Sequence, residues 1–217
     1  MPHDREGVIK YRLDHQYRAL PSDADLAEIS AWRSIVYRLG LIGRTAGKYD
    51  GLGFGNISSR RAPGQDGFLV SATQTGHLPQ LGPEHYAWVT AAAPQQNYLQ
   101  AQGPAQPSSE ALTHAVIYQG LPGVQAVIHG HCPEIWHNTA KLRLAHTAAH
   151  IPYGTPEMAR AVTSILQTLE KTESGIFTML GHEDGVVAFG TSLRQAAELL
   201  IGQLALALAL EQNRSDR

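Results

Sequence analysis

The stretch VIHGHCPEIWHN, Val127 to Asn138, constrains the fold of this chain more than any other. An apolar run ends in two histidines one residue apart, and Pro133 follows almost at once. A short apolar run bounded in this way reads as a buried strand. Proline suits the first turn of a helix, because its missing N–H is one the helix cannot use there. His131 is thereby placed at a strand-to-helix junction. Residues two apart on a strand face the same side, with a rise of about 3.3 Å each, so the imidazoles of His129 and His131 can converge on one ion. Imidazole suits zinc and similar divalent metals, and a catalytic zinc commonly keeps three protein ligands and one open position. The spacing alone leaves two readings level: a pair of metal ligands, or two hydrogen-bonded histidines that close a strand.

Around that strand the chain mixes helices and strands in one body of 217 residues, with no repeat and no linker. The first 23 or so residues are polar and read as an irregular arm or a short strand. Asp23 or Asp25 can cap a helix over Leu26–Ile42, where apolar residues recur at spacings of three and four until Gly43. Glycines then punctuate a hairpin around Phe54–Arg60 and Phe68–Ser71. GPEHYAWVTAA reads as the start of a brief helix, and AAAPQQNYLQAQGPAQPSS as a surface connection. Ser108 or Ser109 caps a helix over EALTHAVIYQGL. After the histidine strand come a helix from Pro133, another over TPEMARAVTSILQTLEK, strands GIFTML and GVVAFG, and a long terminal helix. The domain reading is an arm over residues 1–25 and one domain over 26–217.

The formal charge of −2 leaves no basic surplus for nucleic acid or an anionic membrane, so a small solute is the expected ligand. A single cysteine, Cys132, excludes an internal disulfide. No apolar leader opens the chain and no run of about 18 apolar residues crosses it, which makes cytoplasmic the expected location and a membrane span unexpected. Cys132 should point away from the face shared by His129 and His131, packed and not ligating.

TMLGHEDGVVAFG, where His182 sits in a turn between two apolar strands, reads by itself as a polar hairpin loop before anything else; as a source of a third metal ligand it offers His182 or the carboxylates of Glu183 and Asp184. PSSE, ending at Glu110, is sufficiently explained as a helix cap with an acidic first turn, and a helix start with free N–H groups and hydroxyls is also a ready anion site. The loops FGNIS, with Asn56, and TQTGH, with Thr75 and Gly76, can add donors, though such loops are more often plain turns. There is neither a dinucleotide fingerprint nor a P-loop.

In order, GFGNISSR, TQTGHL, PSSEALTHAVIYQGLPGVQAVIHGHCP, IPYGTPEMA and GHEDGVVAFG resemble the class II aldolase/adducin family. The resemblance spans roughly Leu26 to Leu210. Its most specific part is Ser-Ser-Glu followed about twenty residues later by His-x-His. It implies an α/β fold, a three-layer α/β/α sandwich around a mainly antiparallel sheet, in a homotetramer with active sites where subunits meet. It implies zinc or another divalent metal on His129, His131 and His182, with Asp184 the alternative third ligand. It implies Glu110 as acid/base, and a phosphate held by Asn56, Thr75, Gly76, Ser108 and Ser109. The implied activity is that of a lyase, cutting or forming a carbon–carbon bond through a metal-stabilised enediolate. Dehydratase, decarboxylase and non-catalytic adducin-like module are the alternatives. Two departures stand out: Asp184, not a histidine, precedes Gly185, and Trp136–Ile151 is shorter than in the aldolases, with no match for the tyrosine that protonates their leaving aldehyde. Tyr153 matches a different family tyrosine.

Overall fold

The computed structural model describes residues 7–22, 24–169 and 172–215. Nine strands form one sheet in the order β1 (Arg12–Tyr17), β7 (Tyr98–Gly103), β6 (Tyr86–Ala93), β5 (Phe68–Ser71), β4 (Asn56–Ser59), β8 (Ala126–His131), β11 (Gly185–Gly190), β10 (Gly175–Met179) and β9 (Ala145–Thr147). The sheet is mixed: all interior pairings are antiparallel, and the outermost on each side, β1 with β7 and β9 with β10, are parallel. A separate two-stranded ribbon joins β2 (Gly43–Arg44) to β3 (Gly53–Phe54).

Helices cover both faces. On one, α2 (Ala111–Gly120) and α4 (Pro156–Thr168) pack Leu112, Val116 and Val162 against Val127, Phe177 and Val187 of the sheet. On the other, α1 (Ala27–Arg38), α3 (Pro133–His137) and α5 (Leu193–Ser215) pack Ile29, Ile135 and Leu200 against Ile57, Ile128 and Val186. A strand covered on both faces must be apolar throughout, which is why β8 reads as an unbroken apolar run until its histidines. Its alternation sorts Val127 to the α2 face and Ile128 to the α5 face, so His129 and His131 also face α2.

Gly130 lies between them because the opposite face is crowded. A Cβ there would sit 2.8 Å from the carbonyl oxygen of Leu41, to which the His131 N–H donates at 2.9 Å.

The elements differ from the sequence expectations at identifiable points. Helix α1 ends at Arg38, not at Ile42, because Gly40 takes the left-handed conformation (φ 73°) and closes it, with the Leu41 N–H donating to Val36 O. Of its expected caps, the Asp25 carboxylate accepts from Ala27 N at 2.9 Å, while Asp23 lies outside the described residues. GPEHYAWVTAA gives one 3₁₀ turn, Pro83–His85, and then β6, and the stretch read as a surface connection contains β7. Small alanines in place of Val and Ile, with proline and glutamine around them, masked the burial alternation that Leu99, Ala101 and Gly103 carry. Leu193–Gln212 of α5 is long and apolar enough by composition to cross a membrane. Its Leu193, Ala196, Ala197 and Leu200 are instead buried on the sheet.

Candidate metal centre

Strand β8 ends with His129 and His131 side by side on the α2 face, their ring centroids 5.1 Å apart. The turn between β10 and β11 returns His182 to the same place: its ring lies 5.0 Å from that of His129 and 4.8 Å from that of His131. One nitrogen from each of the three buried rings lies within 4.8 Å of the others, so the trio can hold a metal ion. Burial first, then the neighbouring His182 and the Lys48 ammonium, hold His131 well below the ordinary histidine range. It is therefore neutral, the form in which imidazole ligates a metal. The donor set fits a divalent transition metal: three imidazoles in a buried pocket, with a carboxylate alongside.

That carboxylate is Glu110, buried at the start of α2. Its Oε1 is 3.9 Å from His182 Nδ1, and its Oε2 accepts from the Thr113 hydroxyl at 2.9 Å. Glu110 itself is the residue before the first helical turn, and its N–H donates to Ser108 Oγ at 3.2 Å. Ser108 and Ser109 are both buried beside it. Neither caps α2 in the expected way, since no side chain bonds the helix's first N–H groups.

Asn56 stands opposite His129 in the β4–β8 ladder, and its Oδ1 is buried without a hydrogen-bond partner among the described residues. The Thr75 hydroxyl is engaged by Ala72 O at 2.7 Å. Gly76 passes so close to the Gly53–Phe54 backbone that a Cβ would lie 2.5 Å from Phe54 O. The loop is tied to α1 through the buried guanidinium of Arg33, which donates to the carbonyls of Thr75 (3.1 Å), Gly76 (3.0 Å) and Leu78. Three of the five residues expected at a phosphate thus adjoin the histidines or Glu110, and the TQTGH pair forms a braced crossing beneath β3.

Asp184, the alternative third ligand, stands apart from the three histidines, and other groups that no local spacing announces meet beside it. The Asp184 carboxylate, 2% exposed, is not part of the histidine cluster: it accepts from Lys48 Nζ at 2.9 Å and from the Tyr49 hydroxyl at 2.5 Å. The Tyr49 ring meets His131 edge-on at 4.6 Å. The segment from Gly7 to Tyr11 runs across the other side. Gly7 O accepts from the Thr73 hydroxyl at 2.9 Å, the Lys10 ammonium lies 3.6 Å from the centroid of the Tyr153 ring, and that ring stacks on His182 at 4.5 Å. The Tyr11 hydroxyl donates to Ser108 O at 2.8 Å. Burial, with Glu110's charge second, raises its pKa, so it stays protonated. Only long-range pairing brings these residues here, and no local spacing announces it.

A cavity of about 470 Å³ lined by Arg60, Gln65, Phe68, Val89 and Tyr118 contains none of these groups. Arg60 there is engaged by the carbonyls of Val124, Leu121 and Tyr118.

No protein of curated function matches the chain in sequence. Among solved structures, L-fuculose-1-phosphate aldolase from Thermus thermophilus is similar with a TM-score of 0.61 at 20% identity, over 87% of this chain and 93% of that one. A sugar-phosphate aldolase from Thermotoga maritima gives 0.64 at 17% identity, over 87% and 94%. An aldolase II superfamily protein from Pseudomonas syringae gives 0.61 at 13%, over 92% and 81%. At such identities the likeness is one of fold. The sequence model of the Class II Aldolase and Adducin N-terminal domain matches residues 45–207, well over half of the chain, and the protein belongs to that family.

Proposed function

We propose that this chain is a zinc-dependent lyase, making or breaking a carbon–carbon bond next to the carbonyl of a small hydroxy-carbonyl compound such as a sugar phosphate. The observation that carries the reading is the meeting of three buried imidazoles with one buried carboxylate, Glu110 Oε1 being 3.9 Å from His182 Nδ1. His129, His131 and His182 would hold the ion. Bound there, zinc supplies Lewis acidity that stabilises negative charge on a substrate oxygen.

Glu110 takes or returns the proton at the carbon beside the carbonyl. Thr113 fixes one of its oxygens and so directs the other toward the histidines. Asn56, Thr75, Gly76, Ser108 and Ser109 receive the phosphate, helped by the start of α2, where helix N–H groups favour an anion. A homotetramer belongs to the same reading. The exposed Leu39 at the end of α1, and Leu206 and Leu208 of α5, offer apolar contact area for it.

Dehydration or decarboxylation would use the same groups. The Asp184-Gly185 pair and the short Trp136–Ile151 segment keep those reactions as the second reading. A non-catalytic adducin-like module is the third, and metal content separates it from the others. Purified protein is expected to carry one divalent ion per chain, lost in His129→Ala. Its incubation with dihydroxyacetone phosphate in D₂O is expected to exchange deuterium at the hydroxyl-bearing carbon. Absence of metal overturns the enzyme reading; metal without exchange, but with turnover of a carboxylated substrate, moves the reaction to decarboxylation.

A further inference from the structure

His182 differs from the other two histidines in where it stands. His129, on a central strand, is paired on both sides, opposite Asn56 and Val187, and His131 is paired with Gly185 on one side while its N–H donates to Leu41 O at 2.9 Å on the other. His182 lies on a turn, held locally by its own N–H to Met179 O at 2.9 Å and its carbonyl to Gly185 N at 2.9 Å. A ligand on a turn needs bracing from outside.

The turn is braced at Asp184. This residue adopts a left-handed backbone (φ 61°), and its carbonyl accepts from the Cys132 N–H at 2.8 Å, just past the end of β8. Its buried carboxylate is held by two groups from a loop 135 and 136 residues away: the Tyr49 hydroxyl at 2.5 Å and Lys48 Nζ at 2.9 Å. The loop pays for that reach in backbone conformation, with Tyr49, Asp50 and Gly51 all at positive φ (50°, 55° and 69°). Residues persist in such conformations where the surroundings over-determine them, and these sites tend to be functional.

Tyr49 also reaches a second histidine. Its ring stands edge-on to His131 at 4.6 Å and 79°, and Phe54 closes the group at 5.1 Å from Tyr49 and 5.0 Å from His131. One side chain therefore contacts His131 with its ring and, with its hydroxyl, the turn that presents His182.

We propose that Tyr49 and Asp184, with Lys48 in support, form a clasp that holds His131 and His182 in the mutual geometry a metal ion requires. The clasp makes the 48–51 loop part of the metal site without contributing a ligand. It rests on the reading of the three histidines as ligands. Tyr49 and Asp184 are positioning residues, and Lys48, half-exposed, adds the smaller share because solvent screens its charge.

The test uses the full-length protein and zinc alone. Zinc affinity is measured by competition with a chromophoric chelator for the wild type, Tyr49→Phe, Asp184→Asn and Lys48→Arg. The visible absorption of the cobalt-substituted forms is recorded beside it. Outer groups that orient ligands are worth about 10- to 100-fold in metal affinity. Asp184→Asn is expected to weaken zinc binding within that range and to alter the cobalt bands. Tyr49→Phe, which keeps the ring, is expected to lose about tenfold, at the low end of it, and Lys48→Arg is expected to retain wild-type affinity. Tyr49→Phe and Asp184→Asn proteins that melt lower in the apo form yet bind zinc within about twofold of the wild type, with unchanged cobalt bands, would overturn the clasp. A wild-type protein that binds no zinc would instead overturn the metal site itself, and the two failures are separable.

Discussion

Two substitutions of the same kind, Gly76→Ala and Gly202→Ala, should move stability in opposite directions. A Cβ on Gly76 would lie 2.5 Å from Phe54 O, 2.6 Å from Phe54 N and 2.9 Å from Gly53 C, all backbone atoms. Real Cβ contacts essentially never fall below 3.0 Å, so the two loops must part by at least about half an ångström, an overpacking of a kind that destabilises by about 1–3 kcal/mol. The loops cannot part freely, because Arg33 pins the carbonyls on both sides of the bond after Thr75. For a chain of this size the change corresponds to a fall in Tm of about 2–12 °C. Gly202, inside α5, has nothing within 4 Å of its would-be Cβ. Alanine there removes the entropy cost of a helical glycine and should add about 0.5–1 kcal/mol. Differential scanning calorimetry at fixed protein and zinc concentrations reads both, since ligand and assembly otherwise shift Tm by mass action. A Gly76→Ala protein as stable as the wild type would refute the claim that the crossing of these loops requires glycine.

Glu110→Gln should lower turnover by about 10²- to 10⁴-fold while zinc content by metal analysis stays at the wild-type level; loss of the metal would show that Glu110 supports the site and not the proton transfer. His114, fully buried, is pushed by desolvation from 6.5 down to about 3. Between those values the unfolded chain binds a proton that the folded one refuses, so stability is complete above pH 6.5 and is lost as pH falls toward about 3. The slope reaches at most about 1.4 kcal/mol per pH unit, and urea titrations across that window should show a shallower slope for His114→Gln. The Cys132 thiol is pushed up to about 12, chiefly by burial. Native protein at about pH 8 should therefore resist iodoacetamide and take one adduct only after denaturation, as mass spectrometry can show.

How legible the protein is in its sequence depends on the range of the interactions involved. Strand β8 was legible because both its faces are buried and its polar end is abrupt. The spacing that leaves His129 and His131 undecided becomes informative only when the β10–β11 turn returns His182 beside them. Helix boundaries slipped where a glycine's conformation, not its position, decided the stop, as at Gly40. Strand β7, YLQAQG, has no β-branched residue and sets glutamines between its buried positions, and β6, YAWVTAAA, has its β-forming half followed by three alanines that favour a helix. The bracing of Asp184 by Lys48 and Tyr49, and the approach of Lys10 and Tyr11, are contacts across more than ninety residues. A one-dimensional pattern has no period at which such contacts show.

Strand β1 has a consequence for how this protein behaves in a concentrated solution. It pairs in parallel with β7 in register from Arg12 opposite Tyr98 to Tyr17 opposite Gly103, and it is one of the sheet's two outermost strands. Its own sequence, RLDHQY, is charged and polar, the composition with which proteins discourage their outer strands from recruiting other chains. The strand it shields carries Leu99 and Ala101 between small and polar neighbours. Trimming the chain through Tyr17 would leave the backbone donors and acceptors along that side of β7 open as a template, and the product should self-associate. A fusion partner placed close before Arg12 would strain the same protection.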